Sequence, residues 1–381
     1  MLPRVLSVFG TRPEASKMAP LVLELKKRGF ESAVCVTAQH REMLDKMLEL
    51  FGITPEYDLN IMKKGQTLSH ITESVIAGMP AVFAEYKPDL VLVHGDTTTT
   101  FAAAIAAYYA QIKVGHVEAG LRTGNKLEPF PEEMNRRLCD AVADFHFAPT
   151  GGAKANLIKE NITPENIFVT GNTAIDATKT TVKENYRFGD ERLNGIDFKN
   201  ERVIAVTAHR RENYGEPLKN ICLALRDAAE RLPNARIVYA VHPSPTVTET
   251  AYGILAGVSN VTLTEPLSLT DMHNLLSRAF LVMTDSGGLQ EEAPAFHKPV
   301  IVLRNVTERP EGVETGALIL AGTEREEVFS RASGLFYDGG LYKKMAQAKN
   351  PFGDGNASAR IAEAIAYGFG ASDIRPSEYT V

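Results

Sequence analysis

Short apolar runs recur along the chain. Several stop at a glycine, an acid or a basic residue, and longer segments with helical spacing lie between them. In the first half the pattern predicts strands at Val5–Phe9, Ser32–Thr37, Leu90–His94, Val114–Glu118, Phe145–Ala148 and Ile167–Thr170. Helical segments fill the gaps and begin near Pro13, Thr97 and Pro131, where proline or a capping threonine suits a first turn. Between Thr181 and Arg202 the pattern weakens into charged and polar residues with Gly189 and Gly195, marking a junction. Alternation resumes with strands at Val203–Thr207, Ile237–Val241, Val261–Leu263, Leu281–Thr284, Val300–Leu303 and Leu318–Leu320. This β–α order implies parallel sheets covered by helices on both faces. The expected fold is α/β, with two Rossmann-like domains facing a cleft. Residues 1–180 would form the first domain and residues 181–355 the second. Residues 356–381 would cross back to the first through a helix at Ala357–Tyr367.

Composition narrows the function. A chain of 381 residues suits about two cored domains. A net charge of −6 argues against a nucleic-acid partner, which needs a basic face. No apolar run approaches the roughly 20 residues that span a bilayer. The start, Met1 to Gly10, lacks the features of a secretion signal, so a soluble cytoplasmic protein with no membrane association is expected. Cys35, Cys139 and Cys222 are scattered in apolar patterns that build neither a zinc site nor a disulfide framework, and no metal is expected.

The candidate chemistry lies at strand ends, where open α/β sheets bind ligands. His94-Gly95-Asp96 ends one strand before a run of threonines, and Glu118 ends the next. Glu132 and Arg136 follow at the start of a helix. Several carboxylates in one half can divide into an acid and a base. Gly10-Thr11-Arg12-Pro13-Glu14 places Arg12 where strand becomes helix, a position suited to an anion, with Lys17 five residues on. This turn is not the GxGxxG of a dinucleotide site, and the chain has no GxxxxGK[ST] loop, so a nicotinamide or ATP reading loses its main support. In the second half, Asp285-Ser286-Gly287-Gly288 offers Ser286 and two glycines for close approach of a phosphate, with Glu292 placed to accept ribose hydroxyls. His209-Arg210 and His242 follow successive strands, and Arg309 follows another.

Jointly, Gly10–Glu14, His94–Asp96, Gly115–Arg122, Pro131–Glu133, His209–Glu212, Asp285–Gly288, Thr307–Glu311 and Asn350–Gly355 resemble the bacterial non-hydrolysing UDP-N-acetylglucosamine 2-epimerases, over nearly the whole chain. The resemblance implies a glycosyltransferase-B fold, no cofactor, a homodimer, and interconversion of UDP-GlcNAc and UDP-ManNAc for surface polysaccharide. It also implies a second UDP-GlcNAc as activator. Asp96, Glu118 and Glu132 resemble the acid/base carboxylates, and His209 the histidine serving the diphosphate or a proton transfer. Arg12, Lys17, Arg136, Ser286, Gly287, Gly288, Glu292 and Arg309 match substrate-binding positions; Gln39, Glu42, Arg210 and His242 match positions near the activator. Ser16 and Ser244 depart from the family pattern. Alternatives are a hydrolysing epimerase releasing ManNAc and UDP, or a retaining glycosyltransferase of the same fold.

Overall fold

The structure is a computed structural model describing residues 1–381, and the chain divides into two compact units. The first comprises Met1–Thr180 and Phe352–Thr380. Its strands are β1 (Val5–Phe9), β2 (Ser32–Val36), β3 (Tyr57–Asp58), β4 (Leu90–His94), β5 (Lys113–Val117), β6 (Phe145–Ala148) and β7 (Ile167–Val169). They form one seven-stranded sheet in the order β3-β2-β1-β4-β5-β6-β7, with every pairing parallel. Helices α1 (Arg12–Lys27), α2 (Arg41–Phe51), α3 (Leu68–Tyr86), α4 (Thr98–Tyr109), α5 (Glu132–Val142) and α6 (Gly151–Lys159) lie in the crossovers, and α7 (Thr173–Thr181) follows the last strand. The final helix, Ala357–Gly368, packs beside α1, and Arg28 reaches its Glu363 at 3.1 Å.

The second unit comprises Thr181–Pro351 and Val381. Its strands are β8 (Arg202–Thr207), β9 (Ala235–Ala240), β10 (Val261–Thr264), β11 (Leu281–Thr284), β12 (Val300–Val302) and β13 (Leu318–Leu320). They form a parallel sheet in the order β10-β9-β8-β11-β12-β13. Its helices are α8 (Glu191–Asn194), α9 (Glu216–Arg231), α10 (Pro245–Leu255), α11 (Leu269–Arg278), α12 (Gly287–Glu292), α13 (Pro310–Glu314), α14 (Arg325–Tyr337) and α15 (Gly339–Ala346).

The strands are largely apolar because both faces are covered, with single buried polar residues such as Ser7, His116 and His146 inside them. In β8, Ile204 and Val206 enter one core with Ile221, Leu225 and Val328, while Val203 and Ala205 enter the opposite core with Leu275 and Leu276. Successive side chains point to opposite faces of a sheet, so neither set can be polar.

One strand, β3, lies outside the sequence expectation. It has two residues at the sheet edge, paired with Cys35 and Val36, and is too short to show an alternation. The ladder also ends one residue before several expected strand ends: β5 stops at Val117, because Glu118 turns into the left-handed region with φ of 66°.

The strand order places the sites. In the first unit the order reverses between β1 and β4, and in the second between β8 and β11. At such a reversal the loops after the two central strands run apart and leave a crevice. Gly10–Arg12 and His94–Asp96 flank the first reversal; His209–Arg210 and Asp285–Gly288 flank the second.

Candidate active site

In the first unit the loop after β1 is tied to the loop after β4 by one buried carboxylate. Glu14 accepts from the backbone N–H of Gly10 (3.1 Å) and Thr11 (2.8 Å) and from the hydroxyls of Thr97 (2.7 Å) and Thr100 (3.1 Å). With Thr11 it forms the capping box that starts α1. Burial pushes the Glu14 carboxyl up, against the pull of these donors. Gly10 has no room for a Cβ, which would meet the Thr37 and Thr99 hydroxyls. Arg12 then opens α1, half-buried, and Lys17 sits one turn on.

Lys17 pairs with Glu118, and the Asn172 side-chain amide donates to the same carboxylate oxygen at 2.7 Å. His94 lies at 3.9 Å from it. A left-handed backbone at a non-glycine residue is strained, and such strain concentrates at functional positions; Glu118 is held in it by contacts from α1, β4 and the loop after β7. The other Glu118 oxygen lies 3.5 Å from where a Cβ on Gly95 would stand, so Glu118 and Asp96 belong to one neighbourhood. Asp96 is paired with Arg136 at 2.5 Å, and its carbonyl accepts from Asn135 at 2.9 Å. Thus two residues matched separately from sequence, Asp96 and Arg136, form one ion pair. Glu132 opens α5, and its Oε2 is buried with no hydrogen-bond partner. Its neighbour Glu133 is fully buried and holds the preceding loop through the N–H groups of Thr123 (3.0 Å) and Gly124 (3.2 Å).

Beneath this group two buried histidines are in opposite states. His116 Nδ1 donates to Asp140 at 2.6 Å and Nε2 donates to the Gly95 carbonyl at 2.7 Å. A carboxylate and a carbonyl only accept, so both ring nitrogens carry protons and the ring is a cation. Burial works against that charge, but Cys139 and Asp140 raise the His116 pKa well above its ordinary value. His94 has an unpartnered Nε2, and burial, aided by Lys17 and His116 against Glu118, lowers it to about 3.

Gln39 and Glu42 fall beside the loop after β2. The Gln39 side-chain oxygen accepts from Thr99 at 3.0 Å, and Glu42 is exposed in the first turn of α2.

In the second unit Asp285, fully buried, gathers the loop after β8. It accepts from the backbone N–H of His209 (2.7 Å) and Arg210 (2.8 Å), from Asn213 (3.0 Å) and from His209 Nδ1 (3.2 Å). His209 stacks on His242 with ring centres 5.1 Å apart. Burial lowers the His209 pKa, with His242 and Arg210 adding to the effect and Asp285 opposing it. The Arg309 and Arg210 guanidinium groups lie 3.5 Å and 3.8 Å from where a Cβ on Gly287 would stand. Two cations therefore converge over a glycine pair, beside the Ser286 side chain. Arg309 is held by Glu291, and Glu292 by His273 at 3.3 Å.

The sequence reading quoted His94, His116 and Asp285 within its motifs but gave them no role of their own, and it missed Asn172, Asp140 and His273. Asn172 follows β7 and His94 ends β4, so the strand-end rule that singled out Glu118 covers both. Asp140 and His273 lie inside helices and carry no such signal.

The sequence profile of the UDP-N-acetylglucosamine 2-epimerase family matches residues 23–366. The chain belongs to that family. It is 54% identical to the UDP-N-acetylglucosamine 2-epimerase of Bacillus subtilis, over 99% of this chain and 98% of that protein. The crystal structure of UDP-GlcNAc 2-epimerase from Neisseria meningitidis bound to UDP-GlcNAc is similar, with a TM-score of 0.83 at 47% identity, covering 95% of this chain and 99% of that one. The Methanocaldococcus jannaschii enzyme in complex with UDP-GlcNAc and UDP matches with a TM-score of 0.77 at 33% identity, over 96% of this chain and all of that one. The two Rossmann-like domains are those of the glycosyltransferase-B class. No helix is long and apolar enough to cross a membrane.

Proposed function

We propose that this epimerase interconverts UDP-GlcNAc and UDP-ManNAc without hydrolysis, by eliminating UDP and adding it back. The C2 proton of the sugar is not adjacent to a carbonyl, so a base cannot remove it through an enolate. In elimination a carboxylate takes that proton, the C–H electrons form a C1–C2 double bond, and the C1–O bond breaks with its pair leaving on UDP. The products are 2-acetamidoglucal and UDP. Re-addition forms the C1–O bond again while a proton reaches the opposite face of C2. Two faces require two proton-handling groups.

The observation that carries this reading is the contrast between the strand ends of the two units. Those of the first carry Asp96 and Glu118, paired with Arg136 and Lys17, and Glu132 opens the helix that supplies Arg136. Those of the second bring Arg210 and Arg309 over Gly287. The sugar is then acted on by the carboxylates. Arg309, Ser286, Gly287 and Gly288, with Arg12, stabilise the charge gained by the departing diphosphate. Glu292 accepts the ribose hydroxyls. Neutral His209, oriented by Asp285, serves the diphosphate or a proton transfer.

Proton NMR of UDP-GlcNAc with the pure protein in D2O tests the mechanism. Deuterium should enter C2 of both epimers with no cofactor added. Conversion without deuterium, or dependence on NAD, would overturn elimination; accumulation of free ManNAc would favour the hydrolysing reading. The homodimer and the activating UDP-GlcNAc near Gln39, Glu42, Arg210 and His242 rest on the family resemblance. Light scattering checks the first. A lag with UDP-ManNAc alone, relieved by added UDP-GlcNAc, checks the second.

A further inference from the structure

His273 is fully buried in α11, where a histidine has no packing advantage over leucine. Both of its ring nitrogens are engaged. Nε2 lies 3.3 Å from Glu292 Oε2, and Nδ1 lies 2.6 Å from the Thr181 hydroxyl, 92 residues away in sequence. An ionised carboxylate only accepts, so Nε2 carries the proton. In the neutral ring Nδ1 is then an acceptor, and the Thr181 hydroxyl donates to it. The hydroxyl thus selects the tautomer that can hold the carboxylate. Phe296 packs against the ring at a centroid distance of 6.2 Å.

Thr181 is itself anchored. Its carbonyl accepts from the Asn274 amide at 2.8 Å, and the same side chain accepts from the Lys183 N–H at 3.0 Å. It is also the first residue of the second unit, where the chain leaves the first. At the other end of the relay, Glu292 is only partly covered, and its Oε1 turns toward Gly288, at 3.8 Å from where a Cβ would stand. One carboxylate oxygen is therefore fixed from below while the other faces the glycine pair.

We propose that His273 is a positioning residue for the nucleotide, aiming Glu292 at the ribose hydroxyls, with Thr181 setting the ring's tautomer. The inference rests on the reading of Glu292 as the ribose contact. A carboxylate that accepts two hydroxyls must hold one rotamer, and a side chain with three rotatable bonds does so only when a neighbour restrains it. Hydrogen bonds in such a relay fix geometry beyond what either pair would alone.

The test is discrimination between two nucleotides that differ only in the ribose hydroxyls. Calorimetry gives the ratio of Kd for 2′,3′-dideoxy-UDP to Kd for UDP. A group that merely supports the fold would weaken both ligands alike and leave the ratio unchanged. In the unaltered protein the ratio should be about tenfold or more, as for hydrogen bonds to a charged group, and Glu292→Ala should bring it near unity. Thr181→Val, which keeps shape but loses the hydroxyl, and His273→Phe should each remove most of the ratio, and Thr181→Ser should restore it. If Glu292→Ala erases discrimination while Thr181→Val and His273→Phe retain it, the positioning role is overturned and the ribose reading stands. If Glu292→Ala leaves the ratio as it was, the ribose reading fails and the positioning role falls with it. Should His273→Phe not fold, Thr181→Val against Thr181→Ser decides alone.

Discussion

Asp140 in the first unit and Asp285 in the second are both buried carboxylates beneath the strand-end loops, and they are satisfied in opposite ways. Asp140 takes His116 at 2.6 Å and Arg122 at 2.7 Å, two cations for one acid. Those cations hold its pKa down at about 2, against the burial that would raise it. Asp285 takes two backbone N–H groups, a side-chain amide and a ring nitrogen that burial keeps neutral. The same topology thus rests on a charge network in one unit and on oriented neutral donors in the other. Above Asp140 the proposed reacting groups are acids; above Asp285 they are cations and a neutral histidine. A buried acid that carries cations supports a loop whose carbonyl and carboxylates need positive neighbours. A buried acid that gathers N–H groups leaves the arginine side chains above it to other partners, Arg309 to Glu291 and Arg210 to the Asp285 backbone carbonyl, both close to Gly287.

The largest expected effect separates these two supports. Asp140→Asn leaves His116 buried with its counter-charge removed, while Arg122 keeps Glu160 at 2.7 Å, and should cost about 3–5 kcal/mol in denaturant unfolding. Asp285→Asn keeps a carbonyl for its N–H donors and should cost only about 1–2 kcal/mol. Equal losses would break the contrast.

On the catalytic side, Asp96→Asn and Glu132→Gln should each lower kcat at least about a hundredfold while UDP affinity changes little. Glu292→Ala should do the reverse, weakening UDP by about 1.5–3 kcal/mol in calorimetry. Near-native kcat in the first pair would make those carboxylates structural.

The smallest effect is a pH slope that sharpens the comparison inside the first unit. His94 is held near 3, well below its free value of about 6.5. The unfolded chain then binds a proton that the folded one refuses. This contribution is present above pH 6.5 and is lost as pH falls toward 3, by at most about 1.4 kcal/mol per pH unit. His94→Gln should flatten that acid limb in urea titrations between pH 6 and 4. His116, with its pKa raised, acts in the other sense: its contribution is full below about pH 6.5 and fades as pH climbs through the raised value. An unchanged acid limb in His94→Gln would show that His94 takes up a proton in the folded state.

The sequence by itself determined the parallel sheets and the residues at their ends. A strand buried on both faces is mostly apolar, so the polar cluster that follows it marks where it stops; Asp96, Glu118, His209 and Ser286 were legible on that ground, although Ser7, His116 and His146 are buried inside strands. Arg12 was legible from a helix start beside a glycine that has no room for a side chain. What only the tertiary structure decided is which groups meet. Lys17 reaches Glu118 across 101 residues, Asp96 takes Arg136 across 40, and Thr181 reaches His273 across 92. Such pairs leave no spacing in the chain, because their distance is set by strand order and helix packing rather than by local period. The protonation states follow the same rule. His94 ends β4 and His116 is the last residue but one of the neighbouring β5, yet one is neutral and one a cation, because Asp140 and the Gly95 carbonyl face only the second.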